Sequence, residues 1–269
     1  MDNLSKVSET LYVPLLGRIY ASKNHKNILY DKKALEVEES LPSELFLDNG
    51  QNEYTYIASA VRSTNIDYYT KKFLEHNPNG SVVNLGCGLE DIYDRIDNGT
   101  ANWFELDLPN VLELRKKYFP PSERDHYLPY SIFDYTWVDE LKKLTSEKII
   151  FVASGLFHYF KEKDVIELLK KISELPGCEI VFDAVSSAGM KMTHRYMKKM
   201  GREDAFMYFS VDNAQELVKK IDTNMKLVES RKYYSIIKSK KTLSFSTKFK
   251  MVFSDTFNMV KMIHLRNSK

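Results

Sequence analysis

Short apolar runs and longer stretches of helical periodicity alternate through the middle of the chain. The runs at 81–86, 102–108, 127–133, 148–153 and 179–185 are predicted strands, because brief apolar segments bounded by turn residues suit a buried parallel sheet. Helices are predicted between them. One lies near 89–96. Another opens at Pro109, a residue suited to the first helical position. A third follows Asp134 as a cap, with Trp137, Val138, Leu141 and Leu144 turned inward. A fourth spans 161–174 and carries Val165, Ile166, Leu168, Leu169 and Ile172. Upstream, Tyr54 to His76 keeps helical spacing through Ile57, Ala60, Val61, Ile66, Tyr69, Phe73 and Leu74, until Asn77-Pro78-Asn79-Gly80 stops it. Leu11 to Arg18 is predicted as a helix entry with Pro14 in its first turn, and Pro42 and residues 48–52 as loops.

After Ser186 the rhythm breaks into a methionine-rich segment, 187–210, with Met190, Met192, Met197, Met200 and Met207. A helix at 211–222 and closing strands at 226–237 and 259–265, around a helix near 244–257, complete the pattern. Five βα units in series predict an α/β fold, a parallel sheet with helices on both faces. The chain divides into an N-terminal cap, 1–54, and a sheet domain, 55–269, with 187–210 as an insert.

The first strand breaks into Gly86-x-Gly88. A strand ending in a glycine turn that opens a helix is how a doubly wound sheet makes a nucleotide site, and glycine allows positive φ and close backbone approach. The second strand ends in Asp107, about 20 residues on, where a ribose-binding carboxylate is expected. NAD, FAD and S-adenosylmethionine all fit such a turn. A dinucleotide fingerprint needs a third glycine three residues after Gly88, where Glu90-Asp91 stands instead. Acids at that place repel a pyrophosphate and tolerate a sulfonium, which favours the methyl donor.

Composition narrows the picture modestly. With 43% hydrophobic and 28% charged residues, the chain reads as globular. A net charge of +2 argues against a nucleic-acid partner. The one basic concentration, Arg231, Lys232, Lys238, Lys240, Lys241, Lys248 and Lys250, reads as a solvated helix-and-loop face. Cys87 and Cys178 read as reduced, small apolar residues. No signal-peptide pattern and no run of about 18 apolar residues occurs, so a cytoplasmic location with no membrane partner is expected. No Cys/His cluster has metal-ligand spacing, so no metal is expected.

Several blocks resemble, in order, the leucine carboxyl methyltransferase superfamily. They are Leu15-Leu16-Gly17-Arg18, Ile28-Leu29-Tyr30-Asp31, Arg62-Ser63-Thr64-Asn65-Ile66-Asp67, Val82 to Leu89, Glu105-Leu106-Asp107-Leu108-Pro109 with Leu114-Arg115, Ser131 to Trp137, Gly155 to Phe160, and Val181-Phe182-Asp183-Ala184. Within the superfamily the chain is most similar to bacterial small-molecule O-methyltransferases of the tetracenomycin polyketide type. The resemblance implies a class I S-adenosylmethionine-dependent fold, Rossmann-like, with a seven-stranded sheet whose last strand is antiparallel, and S-adenosylhomocysteine as product. The family usually reads Gly-Leu-Asp-Thr-Arg after the first strand. Here Ile92 replaces the arginine, Arg95 keeps the family's second one, and Ser154 stands where the family often has an acid.

Candidate roles follow. Asp107 can accept both ribose hydroxyls, and Glu105, two residues earlier on the same strand face, is a candidate to share that task. Gly86 and Gly88 give the close approach. The resemblance implies that Arg62 forks onto the donor carboxylate, and Asp67 is read as orienting Arg62 rather than touching the ligand. An ion pair of Arg62 with Asp67 or Asp31 is the structural alternative. Arg18 and Asp31 are lesser candidates for the same pocket. Ser131 and Ile132, at the end of strand three, are placed at the adenine, and Ser154 at the carboxyl edge of strand four. His158 is either a general base for a phenol or a histidine packed among Phe157, Tyr159 and Phe160. A carboxylate acceptor needs no base, since carboxyl groups ordinarily ionise near pH ~4. The segments 1–54 and 187–210 are expected to roof the acceptor pocket. The expected acceptor is a small molecule with a carboxyl or phenolic oxygen. Protein C-terminal carboxyl methylation and non-catalytic donor binding stay open as alternatives.

Overall fold

A computed structural model describes residues 2–46, 52–144, 148–199 and 207–268. The expected loop at 48–52, except for Asn52, and Met200 of the methionine-rich segment lie outside the described residues. In chain order the elements are α1 (Asp2–Asn24), α2 (Lys32–Val37), α3 (Glu53–His76), β1 (Ser81–Leu85), α4 (Tyr93–Ile96), β2 (Asn102–Asp107) and α5 (Pro109–Arg115). They continue with β3 (Asp125–Pro129), α6 (Thr136–Leu144), β4 (Ile149–Ala153), α7 (Glu162–Ile172), β5 (Glu179–Val185) and α8 (Ser187–Lys199). The last are α9 (Ala214–Ile221), β6 (Met225–Lys232), α10 (Phe245–Thr256) and β7 (Val260–Asn267).

The seven strands form one sheet in the order β3-β2-β1-β4-β5-β7-β6. β1 sits inside it, paired in parallel with both β2 and β4, and β7 runs antiparallel between β5 and β6. β1, β4 and β5 are buried at every position because helices cover both faces. The edge strand β6 instead alternates between buried or half-buried and exposed positions. Alternate residues feed two cores. Val83, Leu85, Phe151 and Phe182 pack with Trp137 and Leu168 on one face. Val82, Ile150 and Val181 pack with Ile57, Val61 and Phe73 of α3 on the other. The strand order reverses beside β1, and α/β sheets bind ligands at the carboxyl ends of strands at such a switch.

Some elements depart from the pattern reading. Pro14 lies inside α1 rather than in its first turn, because the helix begins at Asp2, ahead of the apolar stretch. The helix expected at 89–96 forms only from Tyr93. Strand three runs Asp125–Pro129, not to Phe133; beyond it the Asp134 N–H bonds the Ser131 carbonyl at 2.9 Å in a turn. Leu144, expected inward, is 53% exposed at the end of α6. The strand expected over 226–237 stops at Lys232, and Tyr233–Ile236 form a 3₁₀ turn. Among the described residues no helix is long and apolar enough to cross a membrane.

α1 lies against α3 at Gly17. A Cβ on Gly17 would sit 2.8 Å from Ser59 Cβ and 2.8 Å from the Tyr56 carbonyl oxygen, so two helix backbones meet there. Gly17→Leu is expected to force the helices apart and to destabilise the protein by about 1–3 kcal/mol. Urea unfolding checks this, and an unchanged midpoint would contradict the packing.

Candidate active site

β1 ends at Leu85, and the chain then turns through Gly86 (φ 59°) and Gly88 (φ 50°), both in the left-handed region that side chains resist. A Cβ on Gly86 would stand 2.5 Å from Leu156 Cδ1. Leu11 of α1 reaches over the turn, its Cδ2 being 3.2 Å from where a Gly88 Cβ would be. Asp107, the last residue of β2, faces the turn. Its Oδ2 accepts from the Gly88 N–H at 2.8 Å and its Oδ1 from the Leu108 N–H at 2.7 Å. Burial pushes this carboxyl above its ordinary range, and the two N–H donors oppose the shift. Each carboxylate oxygen keeps a second lone pair for a further donor.

Beneath the turn is a layer of buried arginines. Arg18 Nη2 donates to the Leu89 carbonyl at 2.6 Å, and Arg115 Nη1 donates to the carbonyls of Gly88, at 3.3 Å, and Glu90. Three successive turn carbonyls are therefore held from inside by guanidinium groups. The arginines are matched by acids. Arg18 pairs with Asp31 at 2.8 Å and Glu90 at 3.3 Å. Arg95 pairs with Glu90 at 2.7 Å, Asp67 at 2.8 Å and Asp31 at 3.1 Å. Arg115 pairs with Glu105 at 3.4 Å. Burial alone would raise the Glu90 carboxyl, but Arg18 and Arg95 overcome it and hold the group down to about 2.

This layer corrects four expectations. Glu105 does not share the edge position of Asp107. It is fully enclosed in β2, where it accepts from Asn84 at 2.8 Å and pairs with Arg115. Asp67 orients Arg95, not Arg62. Arg18 and Asp31 are paired with each other inside the protein, both fully buried. Glu90 and Asp91 are buried, not presented to a ligand, so repulsion of a pyrophosphate is not what excludes a dinucleotide. The helix that should receive the pyrophosphate is instead reduced to the single turn of α4.

Arg62, on α3, is about one-quarter exposed at 24%. Its Nε lies 3.2 Å from Oδ2 of Asp183, within β5, so its partner is neither Asp67 nor Asp31. Asp183 Oδ1 accepts from the Gly155 N–H at 2.6 Å, and a Cβ on Gly155 (φ 67°) would stand 2.3 Å from Arg62 Nη1. Burial opposes the Arg62 charge, but Asp183 outweighs it and raises the pKa. Ser154, half-buried, precedes Gly155 directly after β4. Ser131 and Ile132 lie in the turn past β3, not at the strand's end. The Ser131 hydroxyl accepts from the Phe133 N–H at 3.3 Å, and the Ile132 carbonyl accepts from Trp137 Nε1 at 3.2 Å.

His158 is 4% exposed in the turn after β4, with its ring 4.3 Å from that of Tyr159 between centroids. Burial, aided by Arg62 and opposed by Asp183, pushes it down to about 4, so it is neutral at physiological pH. Its carbonyl accepts from the Tyr208 N–H at 2.7 Å, which ties the segment after α8 to this turn. Asp183 and Arg115 were given no role from the sequence. Both stood in matching blocks, but their partners are distant in the chain and no local pattern marks them. Two cavities, of about 770 and 480 Å³, lie away from this turn, one against Lys72, His76 and Glu179, the other along β3. Among the described residues no group of three His, Cys, Asp or Glu side chains is placed to hold a metal.

Residues 19–173 match the family described as leucine carboxyl methyltransferase. The chain is 27% identical to the tetracenomycin polyketide synthesis O-methyltransferase of Streptomyces glaucescens over 222 residues, covering 81% of this chain and 80% of that protein. Its fold is similar to a DUF574-family protein of Streptomyces avermitilis (TM-score 0.59, 11% identity, 93% of this chain and 96% of the other). It is also similar to an S-adenosylmethionine-dependent methyltransferase of Anabaena variabilis (TM-score 0.51, 10% identity, 77% and 84%).

The Glu90 pairing has a pH signature. A carboxyl held down to about 2, from an ordinary 4.5, contributes stability that is complete above about pH 4.5 and is lost as pH falls toward about 2. The contribution is roughly 3 kcal/mol. Urea unfolding between about pH 5 and pH 2.5 is expected to show a shallower acid loss for Glu90→Gln than for the wild type. Parallel acid limbs would contradict the pairing.

Proposed function

The chain belongs to the leucine carboxyl methyltransferase family and uses S-adenosylmethionine as its methyl donor; from that premise we propose that it is an O-methyltransferase acting on a carboxyl or phenolic oxygen of a small molecule. The observation that carries this reading is the Asp107 carboxylate. It is fixed by the Gly88 and Leu108 N–H groups at the carboxyl edge of the sheet, with acceptor capacity left for a vicinal diol. The residues fit the donor in other respects. Gly86 and Gly88 leave room for close backbone approach. Arg62 is paired with Asp183 through Nε and also engages the Tyr233 hydroxyl, and its five-donor guanidinium keeps donors that can meet a carboxylate. Ser131, Ile132 and Ser154 follow β3 and β4 along the same edge and are assigned to the adenine and the donor's amino-acid end. Glu105 acts one step back, by holding Arg115 under the turn.

S-adenosylmethionine, when bound, supplies an electrophilic methyl group on a sulfonium. The chain's own work is then positioning and water exclusion, which can lower a displacement barrier by several kcal/mol. The described parts of the N-terminal segment and of the segment after β5 serve as the roof. Leu11 over Gly88, and the Tyr208 N–H on the His158 carbonyl, support that role. A histidine pushed down to about 4 is a weak base for a phenol at neutral pH. This favours a carboxylic acid acceptor, already ionised without help, and makes His158 a packing residue of the pocket wall. The name of the Streptomyces glaucescens relative supports a small-molecule acceptor. A cytoplasmic location belongs to the same reading.

Titration calorimetry with S-adenosylmethionine and S-adenosylhomocysteine tests the donor site. Asp107→Ala is expected to weaken both at least about tenfold, from the loss of charge-assisted bonds of roughly 1.5–3 kcal/mol each, with the fold intact by circular dichroism. Equal affinity would remove Asp107 from the site. A panel of carboxylic acids and phenols tests the acceptor. For an acid that turns over, kcat/KM is expected to be flat between about pH 6 and pH 8, and His158→Gln to lower it by less than about tenfold. A rise with pH that the histidine substitution abolishes would make His158 a base. Donor binding with no turnover across the panel would favour a binding protein.

A further inference from the structure

The basic segment near the end of the chain is unused by the donor site. Within it, α10 is held to the protein by one narrow face, Thr247, Met251 and Ser254, which are buried at helical spacing. The opposite face is apolar and bare. Phe245 is 84% exposed, Phe249 63%, Val252 54%, and Phe257, just past the helix, 58%. Phe253 joins them, its ring centroid 6.4 Å from Phe249 and 4.6 Å from Phe257. On a helical projection Phe245, Phe249, Val252 and Phe253 fall within an arc of about 100°, pointing away from the core. Lys248 and Lys250 flank that arc, one on each side. Lys238, Lys240 and Lys241 precede the helix, and no acid occurs between Lys232 and Ser254. Asp255 follows, and it is engaged by the Tyr234 N–H at 3.0 Å.

A continuous aromatic stripe with cations on both flanks is unusual on a protein surface that meets only water. We propose that α10 is an interfacial helix. It lays the phenylalanine stripe into the headgroup boundary of an anionic lipid bilayer, and the flanking lysines sit on the anionic headgroups. The charge pattern selects this occupant. A second copy of the chain paired about a two-fold axis would set the same lysines against themselves, since the nearest acids, Glu53 and Asp255, are already bonded within the chain by Ser244 and by the Tyr234 N–H. The protein would lie on the bilayer and not span it. The proposal departs from the reading of this stretch as a solvated basic face and from the expectation of no membrane partner.

Flotation of the full chain with vesicles tests the proposal. The protein is expected to float with vesicles of phosphatidylcholine and phosphatidylglycerol in equal parts, less so at high salt, and not with phosphatidylcholine alone. Phe245→Ser with Phe249→Ser is expected to lower partitioning at least about tenfold. Lys248→Glu with Lys250→Glu is expected to lower it about tenfold or more. Both phenylalanines are exposed, so circular dichroism and S-adenosylmethionine affinity should not change. Failure to float with the mixed vesicles at low salt would overturn the proposal, as would a phenylalanine variant that floats like the wild type. A lipid-free dimer that the phenylalanine changes abolish would assign the face to a second copy and overturn it equally.

Discussion

The glycine turn after β1 depends on the guanidinium groups beneath it. Turn carbonyls that leave a strand and do not enter a helix have no backbone partners, and burying them unpaired is costly. Arg18 and Arg115 meet the carbonyls of Gly88, Leu89 and Glu90 from the protein side. The other side of the turn is thereby left to the Gly88 N–H and Asp107. Buried arginines need acids, and Asp31, Glu90 and Glu105 supply them from α2's cap, the turn itself and β2. Removing one partner from such a set leaves a buried charge, at a cost of about 3–5 kcal/mol. The same network therefore joins α1, α5 and β2 to the turn and fixes its shape before any ligand arrives.

A second, smaller linkage lies at the other end of the proposed site. Asp183 of β5 holds Arg62 of α3 and the Gly155 N–H together, so three segments distant in the chain meet at one carboxylate. Arg62 stays charged beside Asp183, while His158 nearby loses its charge through burial. This side of the proposed site thus carries one fixed cation and a neutral imidazole. That is an arrangement suited to binding and orienting anions more than to taking protons.

The sheet was legible in the sequence because buried parallel strands leave continuous apolar runs, and 179–185 is found as read. Strand three was misplaced because Tyr127, Leu128 and Ile132 keep an apolar rhythm through a turn that only the Ser131–Asp134 bond reveals. The glycine turn at Gly86 and Gly88 and the place of Asp107 at the end of β2 were legible because their spacing follows from strand geometry. Asp183 and Arg115 were not, since their partners lie in other strands and helices and no periodicity encodes a buried ion pair. Glu90 and Asp91 mislead as letters: they look exposed in a glycine loop, yet arginines far away in the chain draw Glu90 inward and Asp91 is buried beside it. The bare face of α10 was hidden for a similar reason. Its helix was expected near 244–257, but which side is buried depends on distant segments, and that side proves to be Thr247, Met251 and Ser254.

The central claim is that the turn held by Arg18 and Arg115 presents Gly88 and Asp107 as the donor site, with Arg62 closing its far end. A crystal structure with S-adenosylhomocysteine bound tests this most directly. The account predicts both ribose hydroxyls on the Asp107 carboxylate and the ligand's carboxylate on Arg62, with the arginine layer unmoved. A ligand bound away from Asp107, or a ribose held by other groups while Asp107 keeps only its two backbone donors, would contradict it.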